Sequence, residues 1–120
     1  SFRERKDRIM ANLSFNFNKV KRTFFNVKLK DGQTLQVKMP TKNTFGKAQA
    51  LRNLQQDDNA DVDDVIDTMA GVMADCLNNN LNGIKVDPRQ IAAEYDIEEM
   101  TAFIGDYYEK FVGGIQNNPN

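Results

Sequence analysis

Eight apolar side chains between Val62 and Leu77, at positions 62, 65, 66, 69, 72, 73, 76 and 77, recur at helical spacing and fall on one side of the segment. A stripe that wide has to be covered by several neighbours, and a chain of 120 residues is the size of one domain with one core to do it. Asp61, Asp63 and Asp64 stand at the start of this helix, where the positive end of the helix dipole favours anions. Asn78 to Asn80, Asn82 and Gly83 end it.

The cover is expected from both flanks. Upstream, TFFNVKLK (23–30) and QTLQVKMP (33–40) are joined by Asp31-Gly32, a strong hairpin signal. A two-residue turn would scatter the apolar residues over both faces. A three-residue Lys30-Asp31-Gly32 loop with a left-handed Gly32 pairs Val27 with Leu35 and Phe25 with Val37 on one face, so this register is preferred. The other face then carries Phe24, Asn26, Lys28, Lys30, Gln36 and Lys38. Ahead of the hairpin, Leu13, Phe15 and Phe17 alternate with Ser14 and Asn16, which predicts a short strand over 12–18. Pro40 closes the strand region, 12–40.

Helices are expected over 44–112. Thr44 is read as the N-cap of one carrying Phe45, Ala48, Leu51 and Leu54 to about Gln56. Asp87-Pro88-Arg89-Gln90 predicts a short helix from Pro88, with Gln90 reaching back to the cap. Asp96 to Glu99 is a second capping box, opening a helix with Ile97, Met100, Phe103, Ile104, Tyr107, Tyr108 and Phe111 that Gly113-Gly114 stop. Residues 1–9 read as a leader or arm ahead of Met10, and 115–120 as a polar tail. The expected architecture is a single α+β domain over 1–120: a small N-terminal antiparallel hairpin or sheet followed by about four α-helices.

Little in the chain points to catalysis or metal binding. His is absent, so the single Cys76 lacks its usual activating base, and its spacing puts it on the buried stripe. Glu98 and Glu99 are adjacent on a helix and do not converge. The run Asp57 to Asp64 fails as a calcium loop, with Val62 at the turn-glycine position and Thr68 where a bidentate carboxylate is needed. We therefore expect no enzyme, no cofactor and no metal. One cysteine, no cleavable apolar leader and no membrane-length apolar run predict a reducing cytoplasm.

Charge is divided unevenly. Residues 1–56 hold thirteen Lys and Arg against three Asp and Glu, a net of +10, and residues 57–120 hold three against fourteen, a net of −11. Such a chain neutralises itself on folding or offers opposite poles to partners. Lys19, Lys21, Arg22, Lys28 and Lys38 on one copy are candidates to meet Asp61, Asp63, Asp64 and Asp67 on the next, giving a ring or spiral. The same lysines beside Phe24 and Phe25 support an alternative, a small nucleic-acid-binding regulator. Eight Phe and three Tyr exceed what a core this size buries comfortably. Phe15, Phe17, Phe24, Tyr107, Tyr108 and Phe111 are the candidate partner-binding aromatics, although Phe15, Phe17 and Phe111 also suit a core.

The hairpin FFNVKLKDGQTLQVKMP, the following TFGKAQALRNLQ, the acidic VDDVIDTMAGVMADCLNNN and the closing EEMTAFIGDYYEKFVGG together resemble a tail assembly chaperone of long-tailed siphophages, the lactococcal type in particular, over residues 10–115. The resemblance implies a non-enzymatic late protein of the host bacterial cytoplasm. It would self-associate, keep the helical tape measure protein soluble, and help tail tube protein assemble around it, with no membrane or nucleic-acid partner.

Overall fold

A computed structural model describes residues 13–113. Two strands, β1 (Phe24–Lys28) and β2 (Thr34–Lys38), pair antiparallel with Val27 opposite Leu35 and Phe25 opposite Val37, the expected register. The Leu29 N–H donates to Gln33 O at 2.8 Å and the Gly32 N–H to Leu29 O at 3.0 Å, so Lys30, Asp31 and Gly32 form the loop. Gly32 sits at φ +94°, a conformation a side chain disfavours. Burial then follows the pleat: Leu35 and Val37 are sealed, and Phe24, Asn26, Lys28 and Gln36 face outward.

Four helices follow: α1 (Lys42–Gln55), α2 (Val62–Asn78), α3 (Pro88–Glu94) and α4 (Ile97–Tyr108), the last continuing as a π-helical turn, Glu109–Gly113. The fold is thus α+β, a two-stranded sheet followed by helices. The apolar stripe of α2 is the centre of the molecule, and α1, α3, α4 and β2 all pack against it. Met69, Val72, Met73, Cys76 and Leu77 are buried there with Leu51 of α1, Ile91 of α3, and Met100 and Phe111. Val62, at the exposed start of the stripe, is not. The inner face of the hairpin adds an aromatic cluster: Phe25 lies 6.1 Å from Phe103, 6.3 Å from Tyr107 and 6.3 Å from Phe111, ring centre to ring centre.

Three local expectations need correction. Residues 13–18 form no strand. The Asn16 side chain accepts from the Asn18 N–H at 2.9 Å and the Lys19 N–H donates to Asn16 O at 3.0 Å, closing a 3-10 turn at Phe17–Lys19. Such side-chain-to-backbone bonds offer Asn-rich segments an alternative to a ladder. The α1 cap is Thr41, whose hydroxyl accepts from the Thr44 N–H at 3.3 Å, whereas Thr44 is buried inside the first turn. Gln90 does not reach back to its cap; its amide donates forward to Glu94 at 3.3 Å, leaving Asp87 to cap α3 alone. The Asp96–Glu99 capping box is present with both bonds, at 2.7 and 2.9 Å. Residues 1–12 and the 115–120 tail lie outside the described residues, as does Gly114.

The asparagines after α2 do more than end a helix. Residues 79–82 run along the outer edge of β2: Lys38 N–H donates to Asn79 O at 2.8 Å, Leu81 N–H to Gln36 O at 3.0 Å, and Gln36 N–H to Asn82 Oδ1 at 2.8 Å. Asn80 holds this segment in shape, donating to Leu77 O at 2.7 Å and Ile84 O at 2.8 Å while accepting from Asn82 N–H at 2.9 Å. One edge of the sheet is therefore capped by the chain itself.

Candidate functional site

The segment ahead of β1 stands off the core. Every described residue from Leu13 to Phe24 is exposed, and Leu13, Phe15 and Phe17 retain 74%, 72% and 73% of their surface. Phe15 and Phe17 meet edge to face at 4.8 Å, a two-ring wedge. Large apolar groups are seldom left together in water on a chain that has a core to hold them, which makes this arm a candidate recognition surface.

The base of the arm lines a cleft of about 340 Å³ formed by Val20, Lys21, Arg22, Phe24, Lys38 and Met39 with their neighbours. Its charge is positive. Lys19, Lys21, Arg22, Lys28 and Lys38 make no ion pair with a described carboxylate.

A second groove, about 420 Å³, runs between α1 and α4 and is lined by Ala48, Arg52, Gln55, Thr101, Ile104, Gly105, Tyr108 and Glu109. Residues 45, 49 and 52 on α1 together hold Tyr108: Phe45 stacks at 6.0 Å, Gln49 accepts from its hydroxyl at 3.3 Å, and the Arg52 guanidinium lies 4.6 Å above its ring. One side of Tyr108 is thereby fixed, and the groove stays open beside it.

The six expected aromatics divide. Phe15, Phe17 and Phe24 are exposed, Tyr108 is half-buried at the groove, and Tyr107 and Phe111 are core at 4% and 2% exposure. The last two are withdrawn as surface anchors. Tyr107 points inward one position from Tyr108 because the helix can place only one of two adjacent residues on its buried stripe. Of the acidic candidates, Asp61 caps α2 through the Asp63 N–H at 2.8 Å, and Asp63, Asp64 and Asp67 lie exposed along its first turns.

Sequence reasoning missed Phe45, which the three-residue spacing assigned to the core but which keeps 38% of its surface, and missed Arg52 altogether. It also placed Lys30 merely on a wet face. In the structure Lys30 Nζ donates to Glu99 Oε1 and to Glu94 O, both at 2.7 Å, and its backbone N–H donates to the Tyr95 hydroxyl at 3.2 Å. The Lys30 side chain holds the Glu99 carboxyl below its usual range, helped by the Asp96 N–H, and Glu99 raises Lys30 in turn. Burial pushes the Cys76 thiol up to about 12, which leaves it a poor nucleophile. Among the described residues no three potential metal ligands converge, and no helix is long and apolar enough to cross a membrane. Comparison with known proteins finds no matching family model, no matching curated protein and no matching solved structure.

Proposed function

We propose that this protein is a non-enzymatic assembly chaperone that self-associates and shields apolar helical repeats of a phage tape measure protein in the host cytoplasm, with tail tube protein as a further partner. One observation carries the reading: Leu13, Phe15 and Phe17 stand free on an arm while the same chain offers an open, aromatic-walled groove between α1 and α4. An amphipathic helix presents the matching chemistry, apolar side chains every three or four residues, and aromatic anchors supply large contact area with few rotors to freeze. The test is co-expression with a tape-measure helical fragment followed by sizing with light scattering. The chaperone should hold the fragment in solution, and Phe15→Ser with Phe17→Ser should lose it while circular dichroism stays unchanged. A discrete monomer indifferent to the fragment would refute the reading.

The basic cleft supports a second reading, a nucleic-acid-binding regulator, because Lys21, Arg22 and Lys38 surround it beside the exposed ring of Phe24. Counterion release would then make binding fall steeply between low and moderate salt. No binding of single- or double-stranded DNA or RNA at low salt removes it.

A further inference from the structure

We infer that copies of this chain join head to tail, the acid-rimmed apolar patch beside the start of α2 on one copy seating against the basic cleft beside the end of α2 on the next. This names the contact for the self-association in the function proposed above and rests on that part of it. Leu13, Phe15, Phe17 and the groove between α1 and α4 stay with the client.

The two surfaces are alike in character and opposite in sign. The basic cleft has Val20, Phe24 and Met39 as exposed apolar walls and Lys21, Arg22 and Lys38 as its charges, with no carboxylate in its lining. Asp75, the nearest carboxylate along α2, is already held by Lys47 at 2.6 Å. The patch is a cleft of about 410 Å³ lined by Ile66, Tyr95, Ile97 and Met100 with Asp96 and Glu98, and no cation lines it. Ile97 keeps 49% of its surface, and Val62, one turn before Ile66, keeps 66%. Asp63 and Asp67 flank Ile66 on the same helix. Two cations stand nearby and both are engaged: Lys30 lies 5.0 Å from the Tyr95 ring with its ammonium on Glu99 and the Glu94 carbonyl, and Arg89 lies 3.3 Å from Asp87. By contrast Lys21, Arg22, Lys38, Asp63, Asp67 and Glu98 make no ion pair with a described residue.

The surfaces cannot meet within one copy. Asn79 lines the basic cleft and Ile66 the patch, and the stretch of α2 between them rises about 20 Å. The hairpin gives the same separation, because Phe24 at its base lines the cleft while Lys30 at its tip touches Tyr95, about 20 Å of strand away. That exceeds the screening length of about 8 Å at physiological salt, so each pole stays available to another copy. Val62 and Ile97 lose water against Phe24 and Met39, the part of the contact that salt does not screen, and the opposed charges fix which ends meet. Because the two surfaces differ, the contact is heterologous and propagates into a ring or an open spiral.

The experiment reverses each pole in turn and then mixes the products. Lys21→Glu with Arg22→Glu makes a cleft variant. Asp63→Lys with Glu98→Lys makes a patch variant that keeps the caps Asp61 and Asp96 and the Lys30–Glu99 pair. By light scattering on a sizing column, each variant alone should associate about tenfold or more weakly than the unsubstituted protein, because its two poles now carry one sign. An equimolar mixture should recover association, since the acidified cleft fits the basic patch and the two untouched poles fit each other. Val62→Ser, at an exposed site, should weaken association by about threefold or more. If the unsubstituted protein is oligomeric and the reversal variants, folded by circular dichroism, associate as well as it does, the inference is overturned and self-association stands by another contact. A mixture of folded variants that stays dissociated overturns it too. Should a reversal variant lose its helices, Val62→Ser decides, and unchanged association again overturns the contact. A monomer at every concentration refutes both the inference and the self-association it rests on. A protein that associates through these poles yet leaves the tape-measure fragment insoluble upholds the contact and sinks the chaperone reading.

Discussion

Replacing Tyr107 by Phe should stabilise the protein. The Tyr107 ring is 4% exposed, packed 4.9 Å from Phe111 and 5.8 Å from Phe103, and its hydroxyl is sealed from solvent with no hydrogen-bond partner among the described residues. The Cys76 thiol faces that hydroxyl without reaching hydrogen-bond geometry, and burial drives the phenol well above its ordinary range. In the unfolded chain the hydroxyl is hydrated, so folding strips its water for a cost of about 1–3 kcal/mol. Removing the oxygen leaves a void of roughly 15 Å³, which at ~24 cal/mol per Å³ costs about 0.4 kcal/mol. The balance favours Phe by ~0.6 kcal/mol even from the low end of the desolvation range. With a urea slope of ~1.5 kcal/mol per molar for a chain of this size, the midpoint should rise by about 0.4 M or more at unchanged slope. A midpoint that falls would show that the thiol and hydroxyl do form a worthwhile bond, and the reasoning would fail. The variant also decides between core and anchor, since client capture should be untouched. Tyr107→Ser is uninformative on that point, because emptying a buried aromatic site costs about 3–5 kcal/mol and loss of capture would then report unfolding.

Two further outcomes follow from polar contacts. Glu99 is depressed on folding, so its contribution to stability is present above its ordinary pKa of 4.5 and is lost as pH falls through the lower folded value. Lys30 is raised from 10.5, so its contribution is present below that value and is lost as pH climbs through the higher folded one. Glu99→Gln should shrink both the acid and the alkaline limbs of the urea midpoint against pH, and an unchanged profile would mean that the pair contributes nothing. Asn80→Ala should cost roughly 2–3 kcal/mol in the same assay, because it leaves the Leu77 and Ile84 carbonyls and the Asn82 N–H without their side-chain partner. A loss within about 0.5 kcal/mol, the usual surface value, would show that the loop holds its shape without this amide.

The hairpin register was legible before any coordinates because only a three-residue loop puts Phe25, Val27, Leu35 and Val37 on one face, and burial enforces that choice. The α2 stripe and the Asp96 box were legible for a similar reason, since periodicity and capping are local. What the sequence could not give were outcomes settled by competition. Alternation at Leu13, Phe15 and Phe17 looks like a strand, but a strand needs a partner, and the Asn16 side chain satisfies its neighbours first. Threefold spacing put Phe45 with Ala48 and Leu51, yet those two are buried in the core while Phe45 is left partly exposed to stack on Tyr108. The groove depends on how α1 and α4 flank α2, which no window of residues encodes. The Lys30 clasp joins positions 69 residues apart, and its single charge looks like any other on a wet face.

Opposite charge in the two parts of the chain does not vanish on folding. Among the described residues two ion pairs cross from the basic part to the acidic part, Lys30 with Glu99 at 2.7 Å and Lys47 with Asp75 at 2.6 Å. Both are surface contacts with partners about a third to a half exposed, so their work is to position the hairpin tip and α1 rather than to discharge the poles. Lys19, Lys21, Arg22, Lys28 and Lys38 remain at the arm end, and Asp61, Asp63, Asp64 and Asp67 at the start of α2. Over a screening length of about 8 Å at physiological salt, such poles steer approach and set orientation more than they hold copies together. Holding falls to groups that salt does not screen, and the largest of these left outside the core are the rings on the arm. In the self-association proposed above, charge would therefore orient the copies and exposed apolar rings would have to supply the grip.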